Sequence, residues 1–187
     1  MKQLLLVRHG TTAATRTRAF PADEPLDDFA RSAAAELPLP IGWAAFTSPA
    51  RRARDTAAAA GLSAKAEPRL AECDFGAWAG QNLRDLHRAD PAATRAWMTD
   101  PCARPHGGES LHTFYARVAS WLDEEAGRGD DVVAVTHGGV IRASVAHAIG
   151  AGVGAVWQIA VDPLSITELR SQDGVWSLRR LNWSRES

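Results

Sequence analysis

The sequence predicts a three-layer α/β domain with a mixed sheet whose central strands are parallel. Short apolar runs alternate with amphipathic helical patterns along the chain, and the last two runs read as a hairpin. The composition agrees, since 187 residues with 45% hydrophobic and 23% charged residues are typical of one soluble globular domain. We therefore expect a single domain that covers residues 1–187.

Six apolar or alternating runs predict the strands of this sheet. The stretch Val132–Val135 is apolar throughout, as expected for a strand that is covered on both faces. The sequence Gln172-Asp173-Gly174 predicts the turn of the final hairpin. In chain order the predicted strands are Gln3–Val7, Trp43–Thr47, Asp131–Thr136, Trp157–Val161, Ser165–Arg170 and Val175–Leu181.

Helix positions are predicted from start signals and from apolar periodicity. Ser48-Pro49 and Asp90-Pro91 each combine an N-cap residue with proline at the first helical position. The predicted helices cover residues 27–37, 49–60, 91–98, 111–126 and 140–149. In the first of them the expected apolar face consists of Phe29, Ala30, Ala33, Ala34 and Leu37.

Charge and composition exclude several classes of function. A formal net charge of −1 argues against a general nucleic-acid binder. No apolar run approaches the ~20 residues that span a bilayer, and the first run is too short for a signal peptide, so we expect a cytoplasmic protein without a membrane partner. Cys73 and Cys102 are the only cysteines, which argues against a disulfide framework and a Cys-rich zinc site.

Two predicted strands end in a His-Gly sequence, at His9 and at His137. Because ligands bind beyond the carboxyl ends of parallel strands, we expect both imidazoles at one edge of the sheet. Either Arg51 or Arg52 would project there from the following helix, and Gly10 and the Gly138-Gly139 pair would let the backbone approach a ligand closely. Imidazole can attack phosphorus and guanidinium can neutralise phosphoryl oxygens, so the pattern favours phosphoryl transfer over a metal centre.

Several sequence blocks occur in a characteristic order across almost the whole chain. They are Leu4–Gly10, Glu24–Leu26, Thr47–Ala57, Leu70–Gly80, Gly107–Ser110 and Val135–Gly139. Together these blocks resemble the histidine phosphatase superfamily, in its phosphoglycerate mutase-like branch. The order and spacing of the blocks carry the resemblance, because a single Arg-His-Gly motif is common by chance.

The resemblance implies a set of site residues. His9 would be the phosphorylated nucleophile, and Glu72 would protonate the leaving oxygen and then activate water. Arg8, Arg52 and His137 would bind the phosphoryl oxygens, with His137 in its cationic form. No metal and no organic cofactor is implied.

Some positions depart from the family pattern or leave their role open. Thr15 stands where the family usually has Asn, so its hydroxyl is the expected replacement contact to phosphate. Trp78 is the aromatic residue expected to line the pocket, while Glu109 is expected to be a structural acid and is the reserve candidate for the general acid. For Arg16, Arg18 and His106 two alternatives stay open, a contact with the ligand or a place in a solvated loop.

The resemblance leaves three functions open. The first is a phosphomonoester hydrolase of the α-ribazole phosphatase or broad-specificity type, acting on a small phosphorylated metabolite. The second is a cofactor-dependent phosphoglycerate mutase, and the third is a non-catalytic phospho-ligand-binding module. Between Gly80 and Gly107 two short helices leave little material for a closing lid, which favours water as the acceptor and hence hydrolysis. The sequence leaves the oligomeric state open, with a dimer through an edge strand as one alternative.

Overall fold

A computed structural model describes residues 1–184 and contains a sheet of six strands. In chain order they are β1 Lys2–Arg8, β2 Ala44–Thr47, β3 Lys65–Ala66, β4 Val132–Thr136, β5 Ile166–Gln172 and β6 Val175–Trp183. Their spatial order is β3-β2-β4-β1-β5-β6. The predicted α/β fold with a mixed, centrally parallel sheet is confirmed.

The central strands are parallel, and this places their carboxyl ends at one edge of the sheet. β1 pairs with β4 so that Leu4 lies opposite Val132 and Arg8 lies opposite Thr136. β2 also runs parallel to β4, whereas β5 and β6 are antiparallel and form the predicted hairpin. The hairpin turns at Asp173 and Gly174, which both have positive φ, the conformation that a tight two-residue turn requires.

Seven helices and three 3₁₀ segments connect these strands within residues 1–184. The helices are α1 Ala13–Thr17, α2 Asp28–Ala34, α3 Arg51–Ala59, α4 Leu83–Ala89, α5 Pro91–Thr99, α6 Leu111–Ala126 and α7 Gly138–Ala148. The 3₁₀ segments are Pro68–Leu70, Gly76–Trp78 and Val153–Gln158. Asp90 caps α5 as the sequence predicts, and Ser110 caps α6, each accepting a hydrogen bond from a first-turn backbone N–H.

Helices cover both faces of the sheet. On one face Phe114, Val118, Trp121 and Leu122 of α6 belong to the same buried cluster as Leu4, Leu6, Val132 and Ala134. On the other face Ala53 and Ala57 of α3 pack with Val7, Val133 and Val135. Alternate residues of β1 and β4 therefore face opposite layers of helices, as the pleat of a strand requires, and helices cover both faces of these two strands. None of the helices within residues 1–184 is both long enough and apolar enough to span a membrane.

Three local predictions are wrong. The predicted strand Trp157–Val161 does not form, because Val153–Gln158 is a 3₁₀ segment packed beside α7. Helix α2 ends at Ala34, and Phe29 is 76% exposed although the sequence placed it on the apolar face. Helix α3 begins at Arg51 with Ala50 as its N-cap, since the Ser48 side chain is directed to other partners.

Candidate active site

His9 follows the last residue of β1 and is almost fully buried. Its Nδ1 lies 2.7 Å from the carbonyl oxygen of Gly10, and its Nε2 accepts a hydrogen bond from Nε of Arg52 at 3.2 Å. A carbonyl oxygen can only accept, so the ring proton is on Nδ1. This tautomer leaves the Nε2 lone pair directed towards Arg52.

His137 follows β4 and lies beside His9, with the ring centroids 5.1 Å apart. Its Nδ1 accepts from Nη2 of Arg52 at 3.1 Å, and its Nε2 lies 2.7 Å from the hydroxyl oxygen of Ser48. Because a guanidinium can only donate, His137 is neutral here and carries its proton on Nε2, which donates to Ser48. The cationic form that the resemblance implies applies to His137 with a phosphoryl group bound, and it stays a prediction.

Arg52 connects the two imidazoles. It comes from the first turn of α3, is 3% exposed, and places Nη1 2.8 Å from the carbonyl oxygen of Ala22. Its neighbour Arg51 is exposed and lies 3.8 Å from the Asp55 carboxylate. The structure therefore brings Arg52, and not Arg51, to the two histidines.

Burial and the arginines keep this cluster free of additional protons. Burial, followed by the charge of Arg52, lowers the pKa of His9 to about 3. Burial and the neighbouring His9 and arginines hold the pKa of His137 well below its ordinary value. The pKa values of Arg8 and Arg52 are also lowered by burial, with the nearby Glu72 carboxylate acting in the opposite direction.

Arg8 supplies a second guanidinium from the end of β1. Its Nη1 donates to the carbonyl oxygen of Val161 at 2.5 Å. Its Nε is buried and has no hydrogen-bond partner among the described residues. Arg8 also lines the main cavity, so its guanidinium lies where its positive charge would favour an anion.

Glu72 lies at the N-terminus of α7. Its Oε1 accepts from the backbone N–H of Cys73 at 3.0 Å, and its Oε2 accepts from that of Gly139 at 3.2 Å. A Cβ on Gly139 would lie 2.1 Å from Glu72 Oε1. The glycine after Gly138 therefore makes room for a carboxylate of the protein, whereas the sequence assigned that space to phosphate.

Gly10 also has a packing reason. A Cβ at this position would lie 2.7 Å from the Cβ of Ala30, so α2 could not approach the end of β1 as closely. The Gly-Gly-Glu-Ser block has a similar basis, because a Cβ on Gly108 would lie 2.1 Å from the carbonyl oxygen of Asp74. These glycines permit close contact between loops that surround the site.

A cavity of about 380 Å³ opens beside these side chains at the carboxyl edge of the sheet. Its lining includes Arg8, His9, Arg52 and Glu72, which the sequence predicted as site residues. His137 has no exposed surface and lies behind Arg52 and His9, and its direct contact with phosphate stays a prediction. Additional lining comes from Thr15, Arg18, Glu24, Phe20, Phe75 and Trp97.

The predicted phosphate contact from Thr15 is not supported by its hydrogen bonds. Its Oγ1 accepts from the backbone N–H of Thr12 at 2.7 Å and donates to the Thr12 carbonyl oxygen at 2.8 Å. The hydroxyl proton is therefore used in the cap of α1, although the residue lines the cavity. Arg16 pairs with Asp27 at 2.9 Å outside the cavity, whereas Arg18 lines it.

His106 and Trp78 form part of the support behind the cavity. His106 is 3% exposed, accepts from the backbone N–H of Gly108, and contacts the rings of Phe75 and Trp78. It thus neither lines the cavity nor lies exposed in a solvated loop. Trp78 is also buried, and Trp97 lines the cavity in place of Trp78, which was predicted to do so.

Glu109 has the structural role that the sequence predicted. Its carboxylate receives two hydrogen bonds from Arg117, at 2.9 and 2.8 Å, and one from the backbone N–H of Asp74. No group of three or more His, Cys, Asp and Glu side chains arranged to hold a metal ion occurs within residues 1–184.

Residues 4–184 match the sequence model of the histidine phosphatase superfamily, branch 1. The chain belongs to this superfamily. The chain is 33% identical over 195 residues to a bifunctional protein of Mycobacterium tuberculosis, covering 96% of this chain and 53% of that protein. The chain thus spans about half the length of the first curated relatives that it matches.

Two further comparisons cover most of both chains. The chain is 34% identical over 176 residues to a glucosyl-3-phosphoglycerate phosphatase of Mycolicibacterium vanbaalenii, covering 80% of this chain and 75% of that protein. It superposes on the solved structure of the alpha-ribazole phosphatase from Shigella flexneri with a TM-score of 0.84 and 27% identity. That superposition covers 97% of this chain and 96% of the Shigella chain.

Three side chains of the site are not predicted by the sequence. Ser48 was interpreted as a helix cap, although its position within the Ser-Pro block marked it as a site residue. Glu24 lines the cavity and accepts a hydrogen bond from Thr12 Oγ1 at 3.0 Å. Arg142 lines it from the second turn of α7, and no motif signal marked this residue.

Proposed function

We propose that this protein hydrolyses phosphate monoesters through a phosphohistidine formed on Nε2 of His9. The observation that carries the proposal is the fixed tautomer of His9, whose Nδ1–H is bound by the Gly10 carbonyl oxygen. A neutral imidazole in an arginine-lined cavity is a competent nucleophile towards phosphorus once its Nε2 lone pair is released from Arg52. The phosphatase names of the relatives support the same reaction class.

In the first step the ester phosphate binds to Arg8 and Arg52. On binding, the Nε–H of Arg52 donates its hydrogen bond to a phosphoryl oxygen instead of to His9, and the Nε2 lone pair of His9 is exposed. The bond between Nε2 and phosphorus then forms as the bond between phosphorus and the ester oxygen breaks. Glu72 gives its proton to the departing oxygen, and the positive imidazole ring is stabilised by the Gly10 carbonyl.

In the second step a water molecule attacks the phosphorus atom of the phosphohistidine. Glu72 takes a proton from this water, the bond between nitrogen and phosphorus breaks, and inorganic phosphate leaves. His9 returns to its neutral form and Glu72 to its protonated form. The balance is one ester and one water converted to one alcohol and one phosphate, with charge stabilisation supplied by the arginines.

His137 has a positioning role in this scheme. It accepts from Arg52 and donates to Ser48, so it fixes the guanidinium between the two strand ends.

We further propose that the substrate is a small phosphorylated metabolite, that no metal participates, that hydrolysis continues into the acid range and that the protein acts in the cytoplasm. Neutral histidines with strongly lowered pKa values agree with activity at acid pH.

The test is to trap the phosphoenzyme. The protein is incubated with p-nitrophenyl phosphate in the presence of a chelator and quenched in alkali, because phosphohistidine is stable to base and labile to acid. We expect mass spectrometry to place the phosphate on His9, and His9→Ala to lose both the adduct and turnover. His112→Ala is the matched control, since His112 is an exposed histidine on α6.

Full turnover by His9→Ala, or an adduct on another residue, would overturn the mechanism. Turnover that disappears with the chelator and returns with added metal would exclude the metal-independent form of the proposal. Exchange of phosphate between phosphoglycerates that outpaces phosphate release would favour the mutase activity instead. A preparation that binds phosphate esters but forms no adduct and no product would indicate a binding module.

A further inference from the structure

A second, smaller cavity of about 190 Å³ lies next to the main one. Apart from Glu72, Cys73, Gly139 and Arg142, its lining is entirely apolar and mostly aromatic. These apolar lining residues are Phe20, Phe75, Trp97, Leu111, Phe114, Val156 and Trp157. The phosphoryl chemistry proposed above uses none of them, so this surface needs a separate explanation.

The two cavities share part of their walls. Glu72, Phe75, Trp97 and Arg142 line both, so the cavities meet beside the Glu72 carboxylate. In an in-line displacement the leaving oxygen is on the side of phosphorus opposite His9. If Glu72 protonates that oxygen, the carbon chain attached to it begins at the entrance of the small cavity.

The outer wall of the small cavity is held in place by specific contacts. Trp157 lies on the 3₁₀ segment Val153–Gln158 and meets the ring of Trp97 edge to face, with centroids 5.0 Å apart. The end of this segment is tied to α7, because Nε of Arg142 donates to the Ile159 carbonyl oxygen at 2.9 Å. Trp157 nevertheless remains 46% exposed, so its apolar surface is available to a ligand.

We infer that the preferred substrate is a phosphate monoester whose alcohol carries an aromatic or similarly sized apolar group, and that this group binds in the small cavity beside Glu72. This inference rests on the proposed function. A protein cavity of about 150 Å³ accommodates a benzene ring, so the volume fits a single ring. Removing both the ring and the aromatic walls from water favours binding, and offset or edge-to-face ring contacts add to it.

The main cavity offers the alternative direction for the alcohol. Its opposite side is lined by Thr15, Arg18 and Glu24, which suit a hydroxylated or charged group. An alcohol directed there would not contact Leu111, Phe114, Val156 or Trp157, which line the small cavity and not the main one. Binding of the alcohol in the small cavity therefore predicts a preference for an aromatic ester, whereas binding on the polar side of the main cavity predicts a preference for a hydroxylated ester.

The test compares ethyl phosphate, glycerol 3-phosphate and 2-phenylethyl phosphate, which are all esters of primary alcohols. We expect kcat/KM for 2-phenylethyl phosphate to exceed that for ethyl phosphate by about 10-fold or more, the selectivity typical of apolar pockets. Trp157→Ala, which removes one wall, and Val156→Phe, which fills the cavity, should each reduce this ratio at least about threefold. Melting temperatures would show that both variants fold.

Trp43→Ala is the matched control. Trp43 is also partly buried, but it precedes β2 and so lies at the opposite edge of the sheet, and its substitution should leave the ratio unchanged. A wild-type ratio near one, a preference for glycerol 3-phosphate, or a ratio unaffected by both cavity variants would overturn the inference. In these cases a phosphohistidine on His9 would leave the proposed function intact, whereas the absence of both adduct and turnover would refute both.

Discussion

The backbone N–H of Gly139 donates to Glu72 Oε2 at 3.2 Å, and a Cβ at Gly139 would lie 2.1 Å from Glu72 Oε1. One residue thus both binds the carboxylate and makes space for it. Because Gly139 lies in the first turn of α7, the positive end of that helix also faces the carboxylate. The position of Glu72 therefore depends on a residue 67 positions further along the chain.

Gly139→Ala should displace the Glu72 carboxylate and slow the hydrolysis of alkyl phosphates by about 100-fold, at the lower end of the range for general acid catalysis. Steady-state rates on ethyl phosphate measure this effect. Gly129→Ala is the control, because a Cβ there meets no atom within 4 Å. An unchanged rate in Gly139→Ala would show that the site tolerates a shifted carboxylate and that Glu72 is not the acid.

Glu72→Gln should reduce alkyl phosphate hydrolysis by about 10²- to 10⁴-fold and aryl phosphate hydrolysis much less, since a phenolate leaves without protonation. The ratio of kcat/KM for ethyl and p-nitrophenyl phosphate is the measurement. Glu109→Gln weakens the pair with Arg117 and should lower stability without changing that ratio. Equal losses on both esters in Glu72→Gln would remove Glu72 from the acid role.

Arg52→Lys should lower kcat/KM by about 100-fold although the charge is retained. A lysine ammonium cannot place separate donors on His9 and His137 as the guanidinium does through Nε and Nη2. Arg51→Lys is the natural control, because Arg51 is adjacent in sequence and exposed. A nearly active Arg52→Lys enzyme would mean that charge alone, and not the fork geometry, is required.

The lowered pKa of His9, about 3, makes a prediction about stability at acid pH. The pKa of His9 is lower in the folded state than the ordinary value of about 6.5, which applies to the unfolded state. Below about pH 6.5 the unfolded state therefore binds more protons than the folded state. The contribution of neutral His9 to the free energy of unfolding is therefore fully present above about pH 6.5, and it is lost as the pH falls towards 3. Between pH 7 and pH 5 the contribution of His9 to this loss is about 2 kcal/mol.

Urea unfolding of the wild type and of His9→Gln at both pH values measures this contribution. We expect the decrease in unfolding free energy from pH 7 to pH 5 to be about 2 kcal/mol smaller in the variant. The comparison cancels any effect of the substitution that is independent of pH. Equal decreases in the two proteins would show that His9 is protonated in the folded state at pH 5.

Local signals in the sequence predicted most of the fold. The aspartate cap located α5, apolar periodicity located α6, and an uninterrupted apolar run identified β4. The prediction failed at Trp157–Val161, where residues of high β propensity form the 3₁₀ wall of a cavity. There the packing of Trp157 against Trp97 outweighs the local preference, because strand propensity depends on a neighbouring strand that is absent.

The sequence by itself determined the order of elements, the family and the residue types that gather at one sheet edge. These follow from periodicity and short motifs, which depend only on neighbours in the chain. The tertiary structure decided that Arg52 bridges His9 and His137, 43 and 85 positions away, and that Thr15 has already used its hydroxyl. It also decided that aromatic side chains from five separate segments enclose one cavity beside Glu72. Such relations arise from packing between distant segments, and the pattern of any one segment does not contain them.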